Sequence, residues 1–194
     1  MEELMLGKGG RTRILALDEA FGEALAPDRV DLLEGELRPQ SLLRLSRNTA
    51  RLLKQLMTVT EKGLGVTRYV YSELPILWVV DSVGKLWFSI EEVVNATTRE
   101  YIFPRARNFR TADGMQKLGH PALIEAGPGR IGGEILFDLD RKPSAVWCIT
   151  NGSGRYGTRP GRTPDHLANA AKEFARYGIK LQDVFIPTMA RNRT

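Results

Sequence analysis

The chain has 194 residues, 42% of them hydrophobic and 26% charged, which is enough apolar material for one domain with a sizeable core. Its longest apolar run, Leu74 to Val83, is interrupted by Pro75 and Asp81 and falls short of the roughly 20 residues of a membrane helix. The start MEELMLGKGG has no apolar signal region, and the single Cys148 excludes an internal disulfide or a cysteine-built zinc site, so a cytoplasmic location without membrane attachment is expected.

The net charge of +5 is spread unevenly. Residues 1–40 hold nine acids against five bases, a net of −4; residues 41–110 carry +5 and residues 111–194 carry +4. An acidic head folded back on a basic body is expected from this asymmetry. The organisation reads as a single domain, 1–194, with an acidic arm at 1–40, a basic amphipathic helix at 41–63 and a sheet-containing core at 66–187.

In chain order, Arg13 to Leu17 reads as a short strand and Asp18 to Leu25 as a helical turn ending before Pro27. Ser41 then stands as the cap of a helix whose Leu42, Leu45, Thr49, Leu52, Leu53 and Leu56 share one face. Arg44, Arg47, Arg51 and Lys54 occupy the opposite face, with no acid among them. Arg68–Tyr71, Ile76–Val80 and Lys85–Phe88 are rich in β-branched and aromatic residues and read as strands, the last two joined by a hairpin loop at Asp81–Gly84. Ser89 and Glu92 form a capping-box pattern for a helix running to Ala96. The stretch Thr98 to Gln116 is loop-like, with Arg99, Arg105, Arg107 and Arg110 interleaved with Tyr101, Phe103 and Phe109. Ile131–Phe137 and Ala145–Thr150 form a second hairpin. Thr163, Pro164 and Asp165 open a last helix with Leu167, Ala170, Ala171, Phe174 and Ala175 inward and Gly178 as its stop. Asp183–Ile186 is a short final strand. The pattern predicts an α+β fold, a mainly antiparallel sheet packed by two or three helices.

The candidate site centres on Asn151-Gly-Ser-Gly-Arg-Tyr-Gly157, where alternating glycines permit tight bends and close approach to a ligand. The same dipeptides also make a plain turn. Arg155, Arg159 and Arg162, with the helix N-terminus after Thr163, suit a phosphate or carboxylate. The segment is neither a P-loop, lacking the Lys-Ser/Thr ending, nor a dinucleotide fingerprint. Of the two histidines, His120 sits between Gly119 and Pro121 at a strand entrance, and His166 lies in the first turn of the last helix. Glu134 is an acid inside an apolar strand, sharing a face with Leu136 while Ile135 and Phe137 take the other. No His/Cys cluster points to a metal.

Three of these segments together carry a resemblance. Leu118-Gly-His120-Pro-Ala-Leu, Gly132-Gly-Glu134-Ile and Ile149-Thr-Asn151-Gly-Ser153-Gly-Arg155-Tyr156 resemble a block in the C-terminal region of plant calmodulin-binding IQ-motif proteins and of related bacterial proteins. The likeness spans about residues 118–186. Arg155 replaces the histidine of that pattern, Pro121-Ala122 replaces Ser-Ser, and the IQ sequence is missing, so calmodulin binding is not implied. What the resemblance implies is that His120, Glu134, Ser153 and Tyr156 belong to one constellation.

The expectation is therefore a bacterial enzyme-like domain acting on an anionic small molecule or nucleotide, by group transfer such as ADP-ribosyl or glycosyl transfer. His120, Glu134, Ser153 and Tyr156 are its catalytic candidates, and Asn151, Arg155 and Arg162 its ligand-binding ones. Tyr156 would stack a ring, Arg155 or Arg162 would hold phosphates, and Glu134 would orient a hydroxyl. No cofactor is specified beyond the nucleotide. Two alternatives stand beside it. One is a nucleic-acid-binding module using Arg44, Arg47, Arg51, Lys54, Arg105, Arg107 and Arg110, since arginines among aromatics fit phosphates and bases. The other is a toxin-neutralising protein-interaction partner that uses the acidic arm as a detachable segment.

Overall fold

The computed structural model describes residues 8–63, 65–106, 110–138 and 145–188. Among them are four α-helices and nine strands, an α+β architecture. The larger sheet has the strand order β1(Leu43–Arg44), β3(Leu86–Ile90), β2(Ile76–Asp81), β7(Gly129–Asp138), β8(Val146–Thr150), β9(Gln182–Val184). All its pairings are antiparallel except β8 with β9. At Glu91 the chain leaves β3 and enters β4(Glu92–Asn95), the centre of a three-stranded sheet between β5(Tyr101–Pro104) and β6(Met115–Leu118).

Helices α1(Lys8–Phe21), α2(Arg47–Glu61) and α4(Pro164–Ala175) cover one face of the larger sheet. There Trp78, Ile131, Ile135, Phe137, Trp147 and Ile149 pack against Phe21, Leu53, Met57, Leu167 and Phe174. Alternation sends Leu77, Glu134 and Thr150, which are cross-strand partners, to the opposite face. That face carries a second apolar cluster of Leu77, Val79, Leu123 and Tyr156. The two central strands can approach so closely because β7 has glycine at its centre. A Cβ on Gly133 would lie 1.8 Å from the Thr150 carbonyl oxygen, and one on Gly132 2.9 Å from that of Trp78.

Several sequence expectations are corrected. Residues 13–17 belong to α1, not to a strand, and 68–71 lie in a third helix, α3(Gly65–Glu73). Propensity gives way there to tertiary contact. Tyr71 packs on Trp147 with ring centroids 5.6 Å apart, and Arg68, three residues earlier, lies 5.4 Å over the Phe137 ring. The cap of α2 is Ser46, which accepts from the Thr49 amide while Thr49 Oγ1 accepts from the Ser46 amide. Its buried stripe is Ala50, Leu53, Met57 and Thr60, and Leu52 stands 53% exposed. Ser41 instead serves Glu92. That carboxylate accepts from the amides of Gln40 and Ser41, each at 2.8 Å, and from Ser41 Oγ at 2.6 Å. Glu92 is thus taken by a remote turn, and the predicted 89–96 helix is strand β4, with Val93 and Val94 fully buried. Its two partners are β5 and β6, so residues 101–104 and 115–116, expected as loop, are strand.

The last helix follows its sequence signals. Thr163 caps it, Pro164 opens it, Leu167, Ala170 and Phe174 are buried, and the left-handed Gly178 follows it; Ala171 is only partly buried and Ala175 is exposed. No helix among the described residues is long and apolar enough to cross a membrane.

Candidate functional site

A cleft of about 1330 Å³ opens where the free face of β7 meets the junction between the two sheets. Four of the predicted catalytic and ligand-binding residues line it: His120, Glu134, Ser153 and Arg155. Glu134 comes from the outward face of β7, and His120 from the start of the 3₁₀ turn His120–Ile124. Ser153 and Arg155 come from the glycine-rich loop after β8. Three charged groups join them: Arg105 after β5, expected in the nucleic-acid set, with Glu91 from the crossing between sheets and Lys117 on β6, which the sequence did not single out.

His120 is buried, and its Nε2 lies 2.9 Å from the Gly133 carbonyl oxygen. Burial drives its pKa down to about 4, against the pull of that carbonyl and of Glu91 in the other direction. The ring is therefore neutral near pH 7. A carbonyl can only accept, so the proton sits on Nε2 and Nδ1 keeps its lone pair. Nδ1 is thus a hydrogen-bond acceptor on a weakly basic ring.

Glu91 is 5% exposed and gathers two cations, Arg105 Nη1 at 2.6 Å and Lys117 Nζ at 3.4 Å. Arg105 Nε is buried with no hydrogen-bond partner among the described residues. Arg155 is held from the other side by the acidic arm, with Nη2 3.1 Å from Asp31 and 3.6 Å from Glu34. Glu34 is wholly buried and also accepts from the amides of Asp31 and Gly119, at 2.8 and 3.1 Å. Burial lifts its carboxyl above the ordinary value despite those amides and Arg155. Desolvation also pushes Asp31 upward, but Arg29 and Arg155 outweigh it and hold that carboxyl below its usual range.

The other predicted residues do structural work behind the cleft. Asn151 is fully buried and locks the chain end: its Nδ2 donates to the carbonyls of Gly157 and Ile186, and its Oδ1 accepts from the Ile186 amide. Tyr156 has no exposed surface. It packs with Leu77, Val79 and Leu123, and its hydroxyl donates to the Gly127 carbonyl, so it offers no ring for stacking. Arg162 turns inward, donating to the carbonyls of Tyr156 and Glu23, and burial lowers its pKa to about 10. The phosphate cradle expected from Arg162 and the α4 N-terminus is therefore not assembled at the cleft. Ser153 Oγ accepts from the Tyr156 amide at 3.3 Å, and no hydrogen bond links Ser153 to His120.

The expected nucleic-acid surface divides in two. Arg105 belongs to the cleft, while Arg44, Arg47, Arg51 and Lys54 stand exposed on β1 and α2. Arg110 is exposed elsewhere, and Arg107 lies outside the described residues. The acidic arm, expected as a detachable segment, packs into the body: Leu33 and Glu34 are buried, and Leu25 exchanges backbone hydrogen bonds with Gly129.

Compared with protein-family models, with curated proteins and with solved structures, the chain matches none.

Proposed function

We propose that this chain is an enzyme-like domain whose cleft binds a small anionic, nucleotide-like ligand and transfers a group from it to an acceptor hydroxyl. The observation that carries the reading is the neutral His120, fixed through Nε2–H to the Gly133 carbonyl, at a cleft shared with Glu134, Ser153 and Arg155. Arg105 and Lys117 supply positive charge to the ligand, and Glu134 orients a hydroxyl through its carboxylate. In the transfer, the acceptor oxygen bonds the migrating group as its proton passes to solvent water, while the neutral His120 Nδ1 accepts the hydrogen bond of the acceptor hydroxyl and orients it. The leaving group departs with the bonding pair and is protonated by water. The stacking role once expected of Tyr156 passes to Tyr69, whose ring is 69% exposed at the cleft rim.

The test is a titration with AMP, ADP, ADP-ribose and NAD beside inorganic phosphate, following thermal midpoint and the His120 ring NMR signals. A ligand present at about 100 times its Kd stabilises the fold by about 2.7 kcal/mol. At least one nucleotide should raise the midpoint and shift the His120 signals, and His120→Gln should retain binding while losing transfer. If millimolar nucleotides move neither readout, the proposal is wrong.

A further inference from the structure

A second concave surface, separate from the cleft, lies between α2 and the C-terminal end of α4. Its volume is about 630 Å³, and it is lined by Arg47, Asn48, Arg51, Lys54, Arg176 and Tyr177. Arg47, Arg51 and Lys54 fall at i, i+4 and i+7 on one stripe of α2, spanning roughly 10 Å along the axis at 1.5 Å per residue. The only acid in α2 is its last residue, Glu61, and none of these three cations has a carboxylate partner among the described residues. Arg176 is held at 2.8 Å by Glu173, and Lys54 Nζ sits against Gly178, where it complements the carbonyl end of α4. Arg47 and Arg51 have no such structural employment.

The remaining wall is aromatic. Tyr177 is 39% exposed and stands in the groove beside the guanidinium groups, where a planar ring can be covered by another. Among the described residues no aliphatic side chain lines the groove, which is a poor surface for insertion into lipid. Neighbouring cations along one line with an open ring beside them match a single strand of nucleic acid, phosphates on the stripe and a base on the phenol.

We propose that the groove between α2 and the end of α4 is a binding site for single-stranded RNA or DNA, with Arg47 and Arg51 on consecutive phosphates and Tyr177 stacking a base. Neither Arg105 nor the cleft takes part, so the site stands independently of the proposed transfer activity. Sequence periodicity alone exposes the α2 half, but Tyr177 joins it only through the fold.

The test uses the full chain and labelled oligo(U) and oligo(dT) of about 15 nucleotides, read by fluorescence anisotropy across a salt series. With the two phosphates of Arg47 and Arg51 neutralised, the plot of log affinity against log salt should fall with a slope of roughly −1.4. Arg51→Glu should weaken binding by at least about tenfold and flatten the slope by about one contact. Tyr177→Ala should weaken it by about tenfold while leaving the slope unchanged. Since these side chains are exposed, thermal midpoints should match the parent. His120→Gln should bind the strands like the parent, which separates failure here from failure at the cleft. The proposal falls if the oligonucleotides do not bind at low salt, or if either groove variant binds as well as the parent. It also falls if heparin or phosphatidylserine vesicles bind equally well and Tyr177→Ala is silent for all of them, since the groove is then a general anionic surface.

Discussion

At pH 7 the His120 ring is neutral in the folded chain, and in the unfolded one it is mostly neutral, because an ordinary imidazole has a pKa of about 6.5. As the pH falls below that value the unfolded chain takes up a proton that the folded chain refuses until about pH 4. Folding stability contributed by the neutral ring is therefore lost through this window as the solution is acidified. At about 1.4 kcal/mol per pH unit, the loss approaches roughly 3 kcal/mol. Urea midpoints of the parent and of His120→Gln, which keeps an N–H for the Gly133 carbonyl, should converge between pH 7 and pH 4.5. Parallel curves would mean that the ring is accessible to protons in the native state. Titrating carboxylates affect both proteins alike, so the difference isolates the histidine. The outward face of Glu134 was legible from strand alternation, whereas His120, expected at a strand entrance, opens a 3₁₀ turn after β6. Tyr156 was not legible. Its neighbours in sequence are those of a ligand loop, and only the approach of β7, where a Cβ on Gly129 would touch the ring at 2.7 Å, shows that the ring is core.

Elements whose signals are local came through the sequence cleanly. The β2–β3 hairpin has its turn residues and its apolar strands, and α4 has its cap, its proline and its glycine. Where a side chain works over a long separation in sequence, local reading failed. Ser41 looked like a helix cap and Glu92 like its counterpart in another helix, yet the two bind each other across 51 positions. The Glu92 carboxylate joins the turn before β1 to the first residue of β4. Removing it leaves two backbone amides and a hydroxyl in a half-buried position, each lost partner costing less than the ~1–3 kcal/mol of complete burial. Glu92→Ala should therefore lower stability by about 2–4 kcal/mol without reducing helical circular dichroism. A helix cap at this position would instead cost about 1 kcal/mol and remove helical signal. The two roles are thus separated by one pair of measurements.

The −4 of the first forty residues and the positive charge of the remainder are joined by specific ion pairs across the molecule. Asp18 meets Arg130, Asp31 and Glu34 meet Arg155, Glu36 meets Arg99 and Asp28 meets Arg159. Charge asymmetry in the sequence foretold an attraction of this kind, but not that the arm would wall the cleft with Asp28 and Arg29. Nor did it show that Glu91, Arg105 and Lys117 would meet, since these come from three segments that only the crossing between sheets brings together. The pairs are unequal in weight. Arg130 is 1% exposed, and its guanidinium also donates to the carbonyls of Ser82 and Gly22, so it ties α1 to β7 and to the β2–β3 turn. Taking away Asp18 leaves that cation without its counter-charge; because Asp18 is itself a third exposed, water softens the loss to about 2 kcal/mol. For a chain of this size that corresponds to a thermal midpoint lower by about 4–8 °C. Glu36 and Arg99 are 44% and 56% exposed, and Glu36→Ala should cost less than about 1 kcal/mol. Adding Arg130→Met to Asp18→Ala should recover part of the loss, since no charge then remains buried. Equal costs for Asp18→Ala and Glu36→Ala would mean that the arm is held by diffuse attraction, and raising the salt concentration would then loosen both variants and the parent alike.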